Sequence, residues 1–254
     1  LYIYSNMEST EKNIISSFKV QKELNPDIWL MDDEGYKMRP EIRDSLLKLV
    51  EDYEGFIDID LDIEDITLTG SLANFNWSEF SDVDLHILVD FDDPEESIEK
   101  KYLDSRRIIW NSLRDVNVKG FESEIYVQDS KEQHFASGMY SVMYNEWVVK
   151  PEEKEVVLDP HKILSKSKQW MDMIDQIEDS MERTSPKELM GMVEDLKRRL
   201  KKYRGAGLAD KGEYSYENLT FKFLRRNGYI GKLMGLKNKL IDKSLTLEDT
   251  VSYS

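Results

Sequence analysis

Two short apolar runs separated by a polar loop constrain this chain more than any other feature. Ile66 and Leu68 lead into Gly70-Ser71, ten residues intervene, and Asp82-Val83-Asp84-Leu85-His86-Ile87 follows. Apolar runs bounded by turn residues read as strands, here one ending at Gly70-Ser71 and a second from Asp82 to Phe91. Along a strand successive side chains alternate between faces. Val83, Leu85 and Ile87 therefore go to a core, while Asp82, Asp84 and His86 share the opposite face. A carboxylate pair is thereby fixed at the mouth of a strand, next to a glycine turn.

The flanking sequence supplies layers for such a sheet. Arg39-Pro40 predicts a helix start, and Leu46, Leu47 and Val50 recur at helical spacing up to about Tyr53. Phe56, Ile57, Ile59, Leu61 and Ile63 alternate with Asp58, Asp60 and Asp62, which predicts a strand whose three aspartates form a solvated face. Helical spacing resumes from about Glu96 to Leu113, and Val116 to Val127 has strand character. Met139 to Tyr144 and Trp147 to Val149, joined around Asn145-Glu146, predict a closing hairpin. Strand, helix, strand implies an α/β or α+β layer, and the fold class expected for the chain is α+β.

Beyond Lys150 the pattern is helical. Asp159-Pro160 predicts an N-cap and first-turn proline, with Ile163, Trp170, Ile174, Ile177 and Met181 inward. Ser185 with Glu188 has the capping-box spacing and opens a second helix, ended by Gly205 and Gly207, its paired face being Leu189, Val193, Leu196, Leu200 and Tyr203. Ser215 caps a third helix towards Gly228, and a shorter helix comes after it. The expected division is a domain over 1-155, including an N-terminal helical extension, and a helical domain over 156-254.

Composition narrows the chemistry. With no cysteine and three histidines, thiolate sites and thiol nucleophiles are excluded and oxygen-ligated metal is the natural choice. No signal-like segment opens the chain and no run approaches a membrane span, so the expectation is a cytoplasmic protein without a membrane partner. The net charge of −16 argues against a surface broadly coated for nucleic acid. From Pro186 to Ser244, however, fifteen lysines and arginines face seven acidic residues, leaving room for a local phosphate-binding face.

The carboxylates point to phosphoryl chemistry. Alternate strand residues lie about 6.6 Å apart, so Asp82 and Asp84 can address one pair of magnesium or manganese ions, which clamp an in-line displacement at phosphorus. Gly70 lets backbone approach a phosphate, and Ser71 with the amides of a following helix start can donate to it. A third carboxylate is expected on a neighbouring strand. Glu124 is favoured because Ile125 and Val127 set an inward alternation around it, with Glu122 on the same face as the alternative.

A Gly-Ser turn, Asp-hydrophobic-Asp on the next strand and an acidic residue on a third resemble the nucleotidyltransferase signature of the DNA polymerase beta superfamily, over roughly residues 66 to 127. More narrowly, Ile28-Trp29 to Arg39-Pro-Glu-Ile-Arg, Gly70-Ser-Leu-Ala-Asn, Ser81-Asp-Val-Asp-Leu-His and Phe221 to Tyr229 resemble predicted nucleotidyltransferases of tailed bacteriophages. The resemblance implies a polymerase beta-like core, a mixed sheet with flanking helices, followed by a C-terminal helical module. It implies magnesium, a nucleoside triphosphate such as ATP, and nucleotidyl transfer with release of pyrophosphate. By analogy Gly70 and Ser71 bind triphosphate, and Asp82, Asp84 and Glu124 bind metal.

Leu72, Ala73 and Asn74 stand where many family members carry an arginine, so a phosphate contact must come from elsewhere. Lys222 and Arg226, four apart on one helix face, are the candidates. His86 shares the face of the aspartates. The basic run from Lys197 to Arg204 is a further candidate surface for a polynucleotide such as RNA. Three functions fit these features: transfer to a hydroxyl on an RNA end, a protein or a small molecule; synthesis of linear or cyclic oligonucleotide messengers; or a non-catalytic nucleotide-binding or assembly module.

Overall fold

The computed structural model describes residues 9–91, 98–132 and 136–245. The chain divides into two compact units, one running from Lys19 to Glu155, the other joining the described residues before Lys19 to those from Val156 onward. Each has its own apolar core. The architecture is mixed α/β, with a mixed sheet and flanking helices followed by C-terminal helices.

In the first unit a hairpin of β1 (Trp29–Asp32) and β2 (Gly35–Met38) precedes α2 (Pro40–Ile57); α1 (Ser9–Ser16) belongs to the other unit. The main sheet contains β3 (Ile63–Thr69), β4 (Val83–Val89), β5 (Asn117–Val118), β6 (Phe121–Asp129), β7 (Met139–Ser141) and β8 (Glu146–Val149), in the order β5-β6-β4-β3-β7-β8. Among the described residues only β4 and β6 pair in parallel, and α3 (Ile98–Leu113) lies in the connection between them. A parallel pair requires such a crossover, because a tight turn reverses the chain.

Alternation fixes the two faces. Val83, Leu85, Ile87 and Val89 of β4 and Ile125 and Val127 of β6 are buried with Ile42, Leu46, Val50 and Tyr53 of α2 and Leu103 and Trp110 of α3. The intervening residues of β4 and β6 form the other face and stay partly accessible. The hairpin is anchored through Trp29, whose ring stacks on Trp147 at 4.6 Å and whose indole N–H donates to Leu72 O at 2.7 Å.

The predicted strand over residues 56 to 63 is not formed. Phe56 and Ile57 complete α2, because Ile57 packs in the core one turn after Tyr53, and Asp58 ends the helix in the left-handed conformation with φ 56°. The apolar period-two pattern there spans a helix end and a loop. Asp58, Asp60 and Asp62 are exposed. The single strand predicted from Val116 to Val127 is instead two, broken where Lys119 and Gly120 both take positive φ in a hairpin turn. The predicted start of α3 near Glu96 lies outside the described residues.

The second unit packs α1 with α4 (Pro160–Asp179), α5 (Pro186–Lys211), α6 (Tyr216–Arg226) and α7 (Tyr229–Leu245). Asp159, Ser185 and Ser215 each cap a helix as their sequence context predicts. Gly205 and Gly207 do not end α5, which continues to Lys211 and stops at Gly212. The last described helix is 17 residues long against 11 for α6, where the sequence suggested a shorter one. Among the described residues no helix is long and apolar enough to cross a membrane.

Gly207 is a point of close approach. A Cβ there would lie 2.4 Å from Glu217 Cβ and 2.7 Å from Ser215 Oγ, the cap of α6. Alanine gains roughly 0.5–1 kcal/mol of intrinsic helix stability over glycine. Overpacking costs about 1–3 kcal/mol and disturbing a cap about 1 more. Gly207→Ala is therefore expected to lower the unfolding free energy of the helical unit, by about 1–3 kcal/mol in chemical denaturation.

Candidate active site

The carboxylates meet because of strand register. In the parallel pair, Asp84 of β4 is the partner of Glu124 of β6, and in the antiparallel pair Thr69 of β3 is the partner of Asp84. Gly70 comes directly after Thr69, so the glycine turn, Asp84 and Glu124 occupy one end of three adjacent strands. Asp82 precedes β4 by one residue and is partly buried. Glu124 is half-buried, whereas Glu122 is exposed and lies beside the short β5 through its partner Asn117.

Gly70 is held by both its conformation and its neighbour. Its φ of 74° and ψ of −156° fall in a region essentially reserved for glycine. A Cβ at this position would stand 2.0 Å from Asp84 Oδ2, so the peptide backbone passes directly over the carboxylate. Ser71–Ala73 then form a single 3₁₀ turn, and not the longer helix start the sequence suggested. Any phosphate grip here rests on local amides, without a helix dipole.

The turn is braced from behind. Leu72 accepts from Trp29, Asn74 Nδ2 donates to Ser137 Oγ at 2.6 Å, and Gly138 lies so close to Ala73 that a Cβ would meet its carbonyl oxygen at 2.1 Å. Ser71 Oγ donates to Ser81 Oγ at 2.8 Å, and the Ser78 amide donates to the same oxygen at 2.9 Å. Ser81 thus ties the glycine turn to the loop that delivers Asp82. In this state the Ser71 proton is already engaged.

The accessible face continues as a polar array above the carboxylates. His86, partner of Tyr126 in the register, stacks on that ring at 5.0 Å and 20°. His86 Nδ1 contacts Gln128 Oε1 at 2.8 Å, and Gln128 Nε2 donates to Glu132 at 3.1 Å. Because the amide nitrogen faces Glu132, the amide oxygen faces the imidazole and the shared proton sits on Nδ1. Tyr126 donates its hydroxyl to Glu124 Oε2. Burial, then that bond and the negative charge of Glu124 and Asp84, holds the tyrosine well above the usual phenol range.

Helix α3 closes the free side of β6. The Asn111 amide donates to Ile125 O at 3.0 Å and accepts from Ile125 N at 3.1 Å, taking the place of a neighbouring strand. One turn earlier, Arg107 reaches within 5.2 Å of the Tyr126 ring centroid. Tyr126, Arg107 and Asn111 were not singled out by the sequence, and Ser81 only as the first residue of the Ser81-Asp-Val-Asp-Leu-His run. Tyr126 had a signal, standing two residues from Glu124 in the same alternation. The other three depend on how the loop and helix return to the sheet.

Three carboxylates at one sheet end, with no softer donor among them, suit a hard divalent cation such as magnesium. Their side chains are not gathered, however. Among the described residues no three Asp, Glu or His groups stand close enough together to hold a metal ion. Glu124 is engaged by Tyr126 instead.

Lys222 and Arg226 belong to α6 of the helical unit, not to this sheet. Arg226 Nη1 donates to Ser17 Oγ at 2.6 Å, and its guanidinium lies 5.1 Å from the Phe18 ring. Part of the Lys222 side chain reaches solvent, yet burial and then the charge of Arg226 push its ammonium down to about 8, with Glu213 acting the other way. The basic run on α5 is largely answered locally: Lys197 pairs with Glu194, Arg198 and Arg199 with Asp195, and Arg204 donates to Asn218. His134 lies outside the described residues.

No protein-family profile matches the chain, and no curated protein does. Among solved structures the chain is similar to the STING-associated CdnE c-di-GMP synthase from Capnocytophaga granulosa, at 12% identity, covering 94% of this chain and 89% of that one with a TM-score of 0.23.

Gly70 and Gly212 allow strain and contact to be separated. Both have nearly the same backbone, φ 74° and ψ −156° against φ 67° and ψ −152°, but a Cβ at Gly212 meets nothing within 4 Å. Gly212→Ala is expected to cost about 1–3 kcal/mol through strain alone. Gly70→Ala should cost visibly more in the same denaturation measurement, because it also displaces Asp84. Equal losses would mean that the Asp84 carboxylate does not lie under Gly70.

Proposed function

We propose that this chain is a magnesium- or manganese-dependent nucleotidyltransferase, moving a nucleoside monophosphate from a nucleoside triphosphate to a hydroxyl acceptor with release of pyrophosphate. The observation that carries the reading is the register of β3, β4 and β6, which sets Gly70, Asp84 and Glu124 side by side with Asp82 one residue before β4. Asp82, Asp84 and Glu124 would hold the cations. When bound, two such ions supply charge stabilisation at both the attacking and the departing oxygen.

The chain's own residues would do the rest. Backbone around Gly70 and Ser71 would receive the phosphates, since only an unsubstituted Cα leaves room over Asp84. Val83, Leu85 and Ile87 in the core fix the direction of the aspartates. The acidic cluster repels a bare triphosphate, so binding should depend on the cation. The acceptor class is a hydroxyl on an RNA end, a protein or a small molecule.

The test is transfer of label from α-labelled nucleoside triphosphates with and without an added cell lysate as acceptor source. The parent protein should transfer label only with magnesium or manganese present, and Asp84→Asn should fall to background while melting at the same or a higher temperature. A rise is expected because neutralising one of two neighbouring carboxylates relieves their repulsion. Labelled oligonucleotide formed from triphosphates alone would identify a synthase of linear or cyclic messengers. Asp84→Asn transferring at the parent rate would sink the assignment, and a parent inactive in every arm would favour a binding module.

A further inference from the structure

The third carboxylate of the cluster is engaged by a neighbour that metal binding does not require. Tyr126 stands two residues beyond Glu124 on the same face of β6, and its hydroxyl donates to Glu124 Oε2. Side chains at that spacing start about 6.6 Å apart, so they meet only by leaning towards each other along the strand. Asp82, by the parallel register, lies towards the beginning of β6, on the other side of Glu124 from Tyr126. A lean towards Tyr126 is therefore a lean away from Asp82.

The tyrosine is not a loose partner. Its ring is stacked on His86 at 5.0 Å, with the Arg107 guanidinium 5.2 Å from the ring centroid. His86 is in turn held by Gln128, and Gln128 by Glu132. These contacts set the ring and so the direction of the hydroxyl. Among the described residues no three metal-ligating groups converge.

We propose that Tyr126 is a positioning residue that holds Glu124 back from Asp82 and Asp84, so that a divalent cation gains its third carboxylate only by displacing the tyrosine hydroxyl. This rests on the reading of those carboxylates as a metal site. Hydrogen bonds commonly support a ligating carboxylate, and their loss then weakens metal binding. Here the bond competes with the metal, so its loss strengthens binding. The two roles predict opposite signs.

The experiment is a manganese titration of the full chain followed by electron paramagnetic resonance, on the parent protein, Asp84→Asn, Tyr126→Phe, Glu124→Gln and the Glu124→Gln/Tyr126→Phe double variant. Phenylalanine keeps the stacked ring and removes only the donor, and thermal melting monitors the fold. Tyr126→Phe is expected to bind manganese roughly tenfold more tightly, the scale of one hydrogen bond to a charged group. In the Glu124→Gln background that gain should vanish. As a measure independent of the variants' folding, magnesium added to the parent protein should give a tyrosine ultraviolet difference signal.

If the parent binds no manganese, or Asp84→Asn binds it as the parent does, the metal reading fails and the proposal with it. If Asp84→Asn loses manganese but Tyr126→Phe binds equally or more weakly, the metal reading stands and the Tyr126 proposal is overturned. A gain that persists without Glu124, or a parent protein with no tyrosine signal on magnesium binding, overturns it as well.

Discussion

Parallel pairing of β4 with β6 in a single register, from Val83 against Ser123 to Val89 against Asp129, is the constraint on which the acidic end of the sheet depends. Side chains alternate with a period of two, so a slip by one residue would send Glu124 into the core and expose Ile125 and Val127. The buried rows of both strands oppose that slip. Burying a single large apolar side chain is worth about 1.5–3 kcal/mol, and several would be exposed at once. Apolar packing on one face thus fixes carboxylate placement on the other. Asn111 adds to this by satisfying the free edge of β6 at Ile125, beside Glu124.

The antiparallel partner contributes a different constraint. β3 ends with Thr69 opposite Asp84, and the chain must turn immediately without striking the carboxylate. Only glycine meets both demands, through its positive φ and its missing Cβ. The turn is then stiffened from behind by Trp29, Ser137 and Gly138, and joined to the start of β4 through Ser81. The distant hairpin of β1 and β2 therefore serves the site indirectly, since Trp29 supports the carbonyl of Leu72.

Much of this was legible in the sequence where local chemistry decides. The alternation of β4, the caps at Asp159, Ser185 and Ser215, and the inward rows of the helical unit arise from side-chain period and turn residues. Glu124 was favoured over Glu122 on alternation, and the register sets it against Asp84. The readings that failed are those that tertiary contacts decide. Residues 56 to 63 alternate like a strand, yet packing of Ile57 in the core carries α2 into their first positions. Gly207 looks like a stop signal, but it lets α6 approach α5 within a helix that runs on. The alternation places Tyr126 on the face of Glu124, but its ring contacts lay beyond local pattern, because His86 is 40 positions away in sequence and Arg107 comes from a helix.

The sheet end presents three half-accessible carboxylates, one of them accepting a hydrogen bond from Tyr126, and the proposed site is one completed by its cation. The most direct test of that claim is a crystal structure grown with manganese and a non-hydrolysable nucleoside triphosphate, read by anomalous scattering. A manganese peak bounded by Asp82, Asp84 and Glu124 is expected, with the phosphates against Gly70 and Ser71. Manganese bound elsewhere, or carboxylates still apart with triphosphate present, would contradict it.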